Sequence, residues 1–332
     1  MKVVTSFEEF KIEVSKALLT ADTRAEIEYQ LSSFRYFDVR KRWEIREKGL
    51  LHCEWGPAVI YISGTQEWYY HDYRHRVDGP AIVQPSGTQE WYHMGKRHRI
   101  DGPAAIYSDG AQDWYYMDKL HREGGPAVIK ANGTQMWAQF GLLHREDGPA
   151  VIYPDESQEW WYMGEKHKED GPAIICPNGS QEWYNMGKLH RIDGPAQIYP
   201  DDTQKWYFMG ELHRIDGPAV IRPDGSEEWY YYGKLHRIDG PAVTHPDGSQ
   251  EWWYMGMRHR IGGPAIIRSH GTQEWYYMNQ RHRIDGPAVI HPDGSEEWYC
   301  HNELHRTDGP AVIHPDGSEE WYCMGKQLKL DK

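Results

Sequence analysis

A histidine recurs every 23 residues, with no insertion, from His52 through His75, His98, His121, His144, His167, His190, His213, His236, His259 and His282 to His305. A tryptophan series keeps the same interval from Trp68 to Trp321. Gly-Pro-Ala returns twelve times, from Gly56-Pro57-Ala58 to Gly309-Pro310-Ala311. A unit of 23 residues is too short to bury a core of its own. Neighbours must cover it, so the chain has to build a stacked array. Twelve units fill residues 52–327 and override the two ordinary domains that 332 residues would otherwise imply.

Each unit reads as two strands. The first begins at Ala-Val-Ile, as in Ala219-Val220-Ile221, just after a proline whose missing N–H does least harm at a strand start. A turn follows at Pro223-Asp224-Gly225-Ser226. Its glycine returns in ten of twelve units, with Glu156 and Asp202 as departures, which fits a type I turn closed by a left-handed residue. The second strand carries the tryptophan, as in residues 227–232. Four residues after each Trp stands Gly in eight units, Asp72 and Asp118 in two, and Asn279 and Asn302 in two. These residue types tolerate positive φ, so the chain reverses left-handedly there in every unit.

Two reversals per unit predict a mainly β fold: an elongated antiparallel β-meander of about 24 strands and, at about 4.8 Å per strand, roughly 115 Å of sheet. A β-solenoid with one coil per repeat is the rival geometry. Alternation along the second strand puts Gln273, Trp275 and Tyr277 on one face and Glu274, Tyr276 and Met278 on the other. Trp, Ala and Ile are expected to form the main apolar face. The Met column (Met94, Met117, Met163, Met186, Met209, Met255, Met278, Met324) would cover the opposite one. Stacked arrays need capped ends. Residues 1–48 read as a short α-helical N-terminal cap, with helices over 7–19 and 24–35 that open on the capping-box spacings Ser6/Glu9 and Thr23/Glu26. The repeat array itself covers 49–327, and the lysine-bearing tail 328–332 discourages edge pairing.

Composition narrows the function classes. The net charge of -13 disfavours nucleic acid as a partner. Cys53, Cys176, Cys300 and Cys323 form no CxxC pair. Cys300 and Cys323 stand one repeat apart, about 10 Å, which is beyond disulfide reach. All four therefore read as free thiols in a reducing compartment. No apolar run of 18 residues is present and the N-terminus lacks a signal-peptide core, so the expected location is the cytoplasm.

The chemistry-bearing columns favour structure over catalysis. Successive histidines about 10 Å apart cannot share one zinc ion, whose nitrogen ligands lie at about 2.0–2.1 Å. No metal site or cofactor is therefore expected. His98, His190, His236 and His282 are read as structural, each bonded to the Asp three residues on. Arg follows His in ten units and an acid precedes Trp in ten, so these opposite charges are expected to pair. The regular Trp91, Trp183, Trp229 and Trp275 are read as core. The more variable position two residues after Trp includes Tyr116, Tyr162, Phe208, Tyr231, Tyr254 and Tyr277, and that variability suits a binding surface. No GxSxG, P-loop or HExxH motif occurs, so no catalytic residues and no enzyme activity are expected.

The stretch W-Y-x-M-G-K-x-H-R, as in Trp91 to Arg99, resembles the MORN (membrane occupation and recognition nexus) repeat over about residues 49–327. The chain departs from that pattern where Arg follows His and where the Asp-Gly turn is displaced. Its Gly-Pro-Ala step is closer to divergent MORN-like arrays of large DNA viruses and phages. The resemblance implies a single-sheet meander that serves as a scaffold or binding platform, and a viral or phage origin, with host cytoplasm or virion as the location. The expected function is a non-enzymatic repeat scaffold for protein–protein interaction or structural assembly. The alternative is a glycan- or lipid-binding surface on the Tyr and Trp columns. Peripheral membrane contact and self-association stay open.

Overall fold

The computed structural model describes residues 34–37 and 42–328. The chain forms two compact units, 1–165 and 166–332, divided inside the repeat array between Glu165 and Lys166. Each unit is built from the same antiparallel meander. Parallel coil stacking, which a β-solenoid requires, is replaced by antiparallel pairing between successive repeats.

The repeat around Trp229 shows the design. Val220–Ile221 pairs with Glu227–Glu228. Glu227–Glu228 pairs on its other side with Val243–Thr244 of the next repeat. The turn between the first two strands has Gly225 N donating to Arg222 O at 3.1 Å and Arg222 N donating to Ser226 O at 3.1 Å. Gly225 sits at φ 81°, the expected type I turn with a left-handed closing residue. Even the departures Glu156 and Asp202 take positive φ, at 70° and 66°.

The second half of the repeat differs from the two-strand expectation. The chain leaves the main sheet at Trp229 and forms a separate short hairpin, Tyr230–Tyr231 against Lys234–Leu235. A repeat thus has four two-residue strands, not two. The cause is the turn itself. Tyr232 lies at φ 45° and Gly233 at φ 72°, two successive left-handed residues. That is the type I′ turn, which closes a tight hairpin on its own arms. The Gly, Asp or Asn of this turn is left-handed in all twelve repeats, as its residue types predict.

The core is narrow. The Ala of Gly-Pro-Ala is fully buried in every repeat, and the Val or Ile after it is buried in most. The main-chain N–H of Trp donates to the Ala carbonyl of the following repeat at 2.7–2.8 Å, and because that Ala is fully buried a side chain larger than methyl there would collide with its neighbours.

At the N-terminal end, Phe34–Phe37 pairs with Arg42–Glu47, which in turn pairs with Val59–Tyr61. The sheet therefore starts inside the segment expected to be a helical cap, and residues 34–35, assigned above to the second helix, open a strand. The helix over 7–19 and residues 24–33 of the second one lie outside the described residues, as do 329–332 of the tail. Among the described residues no helix is long and apolar enough to cross a membrane.

Candidate functional site

Three columns of side chains flank the core, and two of them bond differently from expectation. The first is the Arg that follows each column His. All ten such arginines lie flat over the Trp of the preceding repeat, with the guanidinium carbon 3.8–4.2 Å from the indole centroid. The same guanidinium donates to the carbonyl of the Gly-Pro proline, as in Arg214 Nη1 to Pro218 O at 3.2 Å. It also pairs with the Asp two residues on, as in Arg214–Asp216 at 3.0 Å. That Asp is the residue expected to bond the histidine. The Arg beside Asp216 holds its carboxyl below the usual carboxylate range, first through the side-chain hydrogen bond. Trp91, Trp183, Trp229 and Trp275 are accordingly half-buried under a cation rather than enclosed in an apolar core.

The acid before Trp does not pair with this Arg. Glu90 is buried, accepts from Tyr92 Oη at 2.9 Å and pairs with Arg97, the residue before the column His, at 3.0 Å. The same set recurs at Glu274, Tyr276 and Arg281. At Glu67/Tyr69 and Glu228/Tyr230, burial first and the glutamate second push the phenol up to about 12.

The second column is the histidines. In seven repeats Nδ1 accepts from the main-chain N–H of the first type I′ turn residue of the same repeat, 19 positions on. Examples are His190 from Met209 at 3.3 Å and His236 from Met255 at 3.3 Å. This bond needs a neutral ring with its proton on Nε2. It also helps offset the left-handed backbone of the residue that donates it. Those donors, mostly Met, sit at φ 45–51°, where a side chain costs about 1–2 kcal/mol. The Met column is therefore a set of turn residues, largely exposed, and does not cover a sheet face.

The third column holds the proposed binding residues. Tyr116, Tyr162, Phe208, Tyr231, Tyr254 and Tyr277 are 41–50% exposed, so they do reach the surface. Each also packs edge-on against the column histidines. From His190 the rings alternate through Phe208, His213, Tyr231, His236, Tyr254, His259 and Tyr277 to His282, with centroids 5.0–6.3 Å apart. His98 meets Tyr116 and His144 meets Tyr162 in the same way.

One feature has no counterpart in the sequence reading. In seven repeats the residue two after the column His is aliphatic and almost fully exposed: Val77, Ile100, Ile192, Ile215, Ile238, Ile261 and Ile284, at 82–92%. Ile192 to Ile284 occupy five consecutive repeats. A groove between successive loops is lined by Arg191, Ile192, Trp206, Phe208 and Ile215. The signal in the sequence was a β-branched residue inside an otherwise polar Arg-x-Asp-Gly loop. The four cysteines are free thiols, as their spacing required.

These features define a stacked β-repeat array with a half-exposed aromatic ladder and an aliphatic loop edge. No protein-family model matches the chain, and no curated protein matches it either. The likeness to MORN repeats therefore stands on the motif itself.

Proposed function

We propose that the chain is a non-enzymatic repeat scaffold that binds a protein along the loop edge of its second unit. The observation that carries this reading is the comb of Ile192, Ile215, Ile238, Ile261 and Ile284, each standing 82–92% in solvent. Single exposed aliphatics are ordinary, but a contiguous apolar row is a mark of interaction surfaces. The charges beside four of the five isoleucines are already paired within their own loop, as Arg191–Asp193 at 2.9 Å and Arg237–Asp239 at 2.8 Å; beside Ile261 the acid is replaced by Gly262. A partner covering the edge then meets few unpaired charges to desolvate. The scaffold role of MORN-type arrays agrees with this reading.

The test replaces all five isoleucines by serine in the full chain. Far-UV circular dichroism should be unchanged, because exposed substitutions cost within about 0.5 kcal/mol each. Affinity capture from native lysate, read by mass spectrometry, should give a stoichiometric protein with the parent chain and lose it with the variant. Equal capture by both chains, or none by the parent, refutes the reading.

A second reading places a glycan or lipid surface on the aromatic ladder. It is favoured by the 41–50% exposure of Tyr116, Tyr162, Phe208, Tyr231, Tyr254 and Tyr277. A glycan array and liposome flotation decide it, and binding in neither disposes of it.

A further inference from the structure

The repeat symmetry breaks at two adjacent positions that converge on one column histidine. In the repeat from His282 to Leu304, the exposed ring position holds Cys300 and the turn position, usually Met, holds His301. In neighbouring repeats the corresponding ring packs edge-on against the column His, as Tyr277 does on His259 at 5.0 Å. Here a thiol takes the place of that ring.

The turn histidine lies over the column histidine: His301 and His282 have centroids 4.4 Å apart and planes inclined by 30°. Cys300 Sγ is 3.3 Å from His301 Nδ1. One ligand atom from each of His282, Cys300 and His301 falls within 4.8 Å of the others. The buried Nδ1 of His282 has no hydrogen-bond partner, as at His52, His98, His121 and His259, whereas His236 and His305 receive the turn N–H at 3.3 Å.

We propose that His282, Cys300 and His301 bind one zinc-type divalent ion that clamps the hairpin Tyr299–Leu304 to the loop that opens the same repeat. Two imidazoles and a thiolate are a donor set for zinc, at about 2.0–2.1 Å for nitrogen and about 2.3 Å for sulfur. Ligand atoms around such a tetrahedral centre lie about 3.3–3.8 Å apart. The present separations, 3.3 Å for Cys300 Sγ to His301 Nδ1 and no more than 4.8 Å for the rest, are close to that triangle. On binding, the Cys300 thiol loses its proton to solvent, both imidazoles stay neutral and each donates one ring nitrogen. Three protein ligands leave a fourth position for water, on the side where His301 is exposed.

Column histidines one full repeat apart, at about 10 Å, are too distant to share one ion. The turn residue 19 positions on is different, because the stacking of repeats brings it onto the column ring. His71 does the same against His52, at 4.4 Å. That cluster is completed by Glu47 and contains no thiolate. The two sites are therefore separable by spectroscopy.

The experiment is a cobalt(II) titration of the reduced, metal-free full-length chain. The expected result is a thiolate-to-cobalt charge-transfer band in the near ultraviolet, with the visible bands of a tetrahedral ion. The band should saturate at one equivalent bound at this site and be bleached by zinc. C300S should abolish the band. H301M, which installs the residue that eight other repeats use, should keep the fold and weaken cobalt binding more than about tenfold. C323S removes the thiol one repeat on and should leave the band intact. Absence of the band in the parent chain, or its survival in C300S, overturns the proposal.

Discussion

Gly217→Ala should destabilise its repeat, and the same change should turn neutral or favourable once Arg214 is removed. The backbone at Gly217 is not left-handed, so conformation alone does not demand glycine there. Space does: an added Cβ would lie 2.7 Å from Arg214 Cζ and 2.9 Å from its Nε. The guanidinium cannot yield outward without leaving Trp206, 4.2 Å away, and the carbonyl of Pro218 at 3.2 Å. Lifting a cation off an indole forfeits about 0.5–2 kcal/mol. A charged hydrogen bond is worth about 1.5–3 kcal/mol, part of which water restores. The pair with the solvent-facing Asp216 is screened and adds little. A local cost of about 1–3 kcal/mol follows. In an Arg214→Ala background the clash is gone, and Gly→Ala then stiffens the unfolded chain for a gain of about 0.4–1 kcal/mol.

The repeats themselves supply a control. At Gly56, whose repeat has Cys53 in place of Arg, nothing lies within 4 Å of the added Cβ. Gly56→Ala should therefore be tolerated. Hydrogen exchange of peptides spanning residues 206–219, read beside urea unfolding, isolates the local effect in a chain whose unfolding need not be two-state. The same cost in both Arg214 backgrounds would show that the guanidinium does not explain the glycine.

Acid should weaken the array before it alters its solubility. Burial lowers the pKa of His98 and His236, and of His75 and His213 beside charged neighbours, so the unfolded chain binds more protons than the folded one below about pH 6.5. Stability from these rings is complete above that pH and falls as pH drops through their folded values. The midpoint of thermal unfolding should decline from pH 7 to 5.5, while the twelve column histidines add less than the twelve charges that they would contribute if free. A constant midpoint would remove the neutral-ring assignment. At the type I′ turn, Asn279→Gly should be close to neutral and Asn279→Ala should cost about 1–2 kcal/mol. Asn279 combines φ 65° with a 2.7 Å bond from Arg258 N. Equal effects of the two substitutions in urea titrations would mean that backbone conformation is not what the position selects.

The 23-residue period called for a stacked array, and the turn residues favoured an antiparallel meander over a solenoid; the strand pairing of successive repeats decided it. Both sequence signals are local facts: a left-handed residue, or a proline before a strand, constrains the backbone whatever surrounds it. The buried Ala column was legible for the same reason, since one small residue in every repeat marks a close approach. The tertiary structure decided what lies opposite what. Splitting of the second strand at Trp229 followed from an unsignalled second left-handed residue, Tyr232, because Tyr or Met has no intrinsic preference for that conformation. Arg214 stacks on Trp206 and reaches Pro218 rather than pairing with a glutamate, because its loop folds back on the preceding repeat. The column histidines meet a turn amide 19 residues on rather than their own loop Asp. That pairing depends on how far successive hairpins are offset, which a period alone does not specify. The same offset carries His301 onto His282 beside Cys300. A spacing rule that compared only equivalent positions of the repeat could not bring those three side chains together.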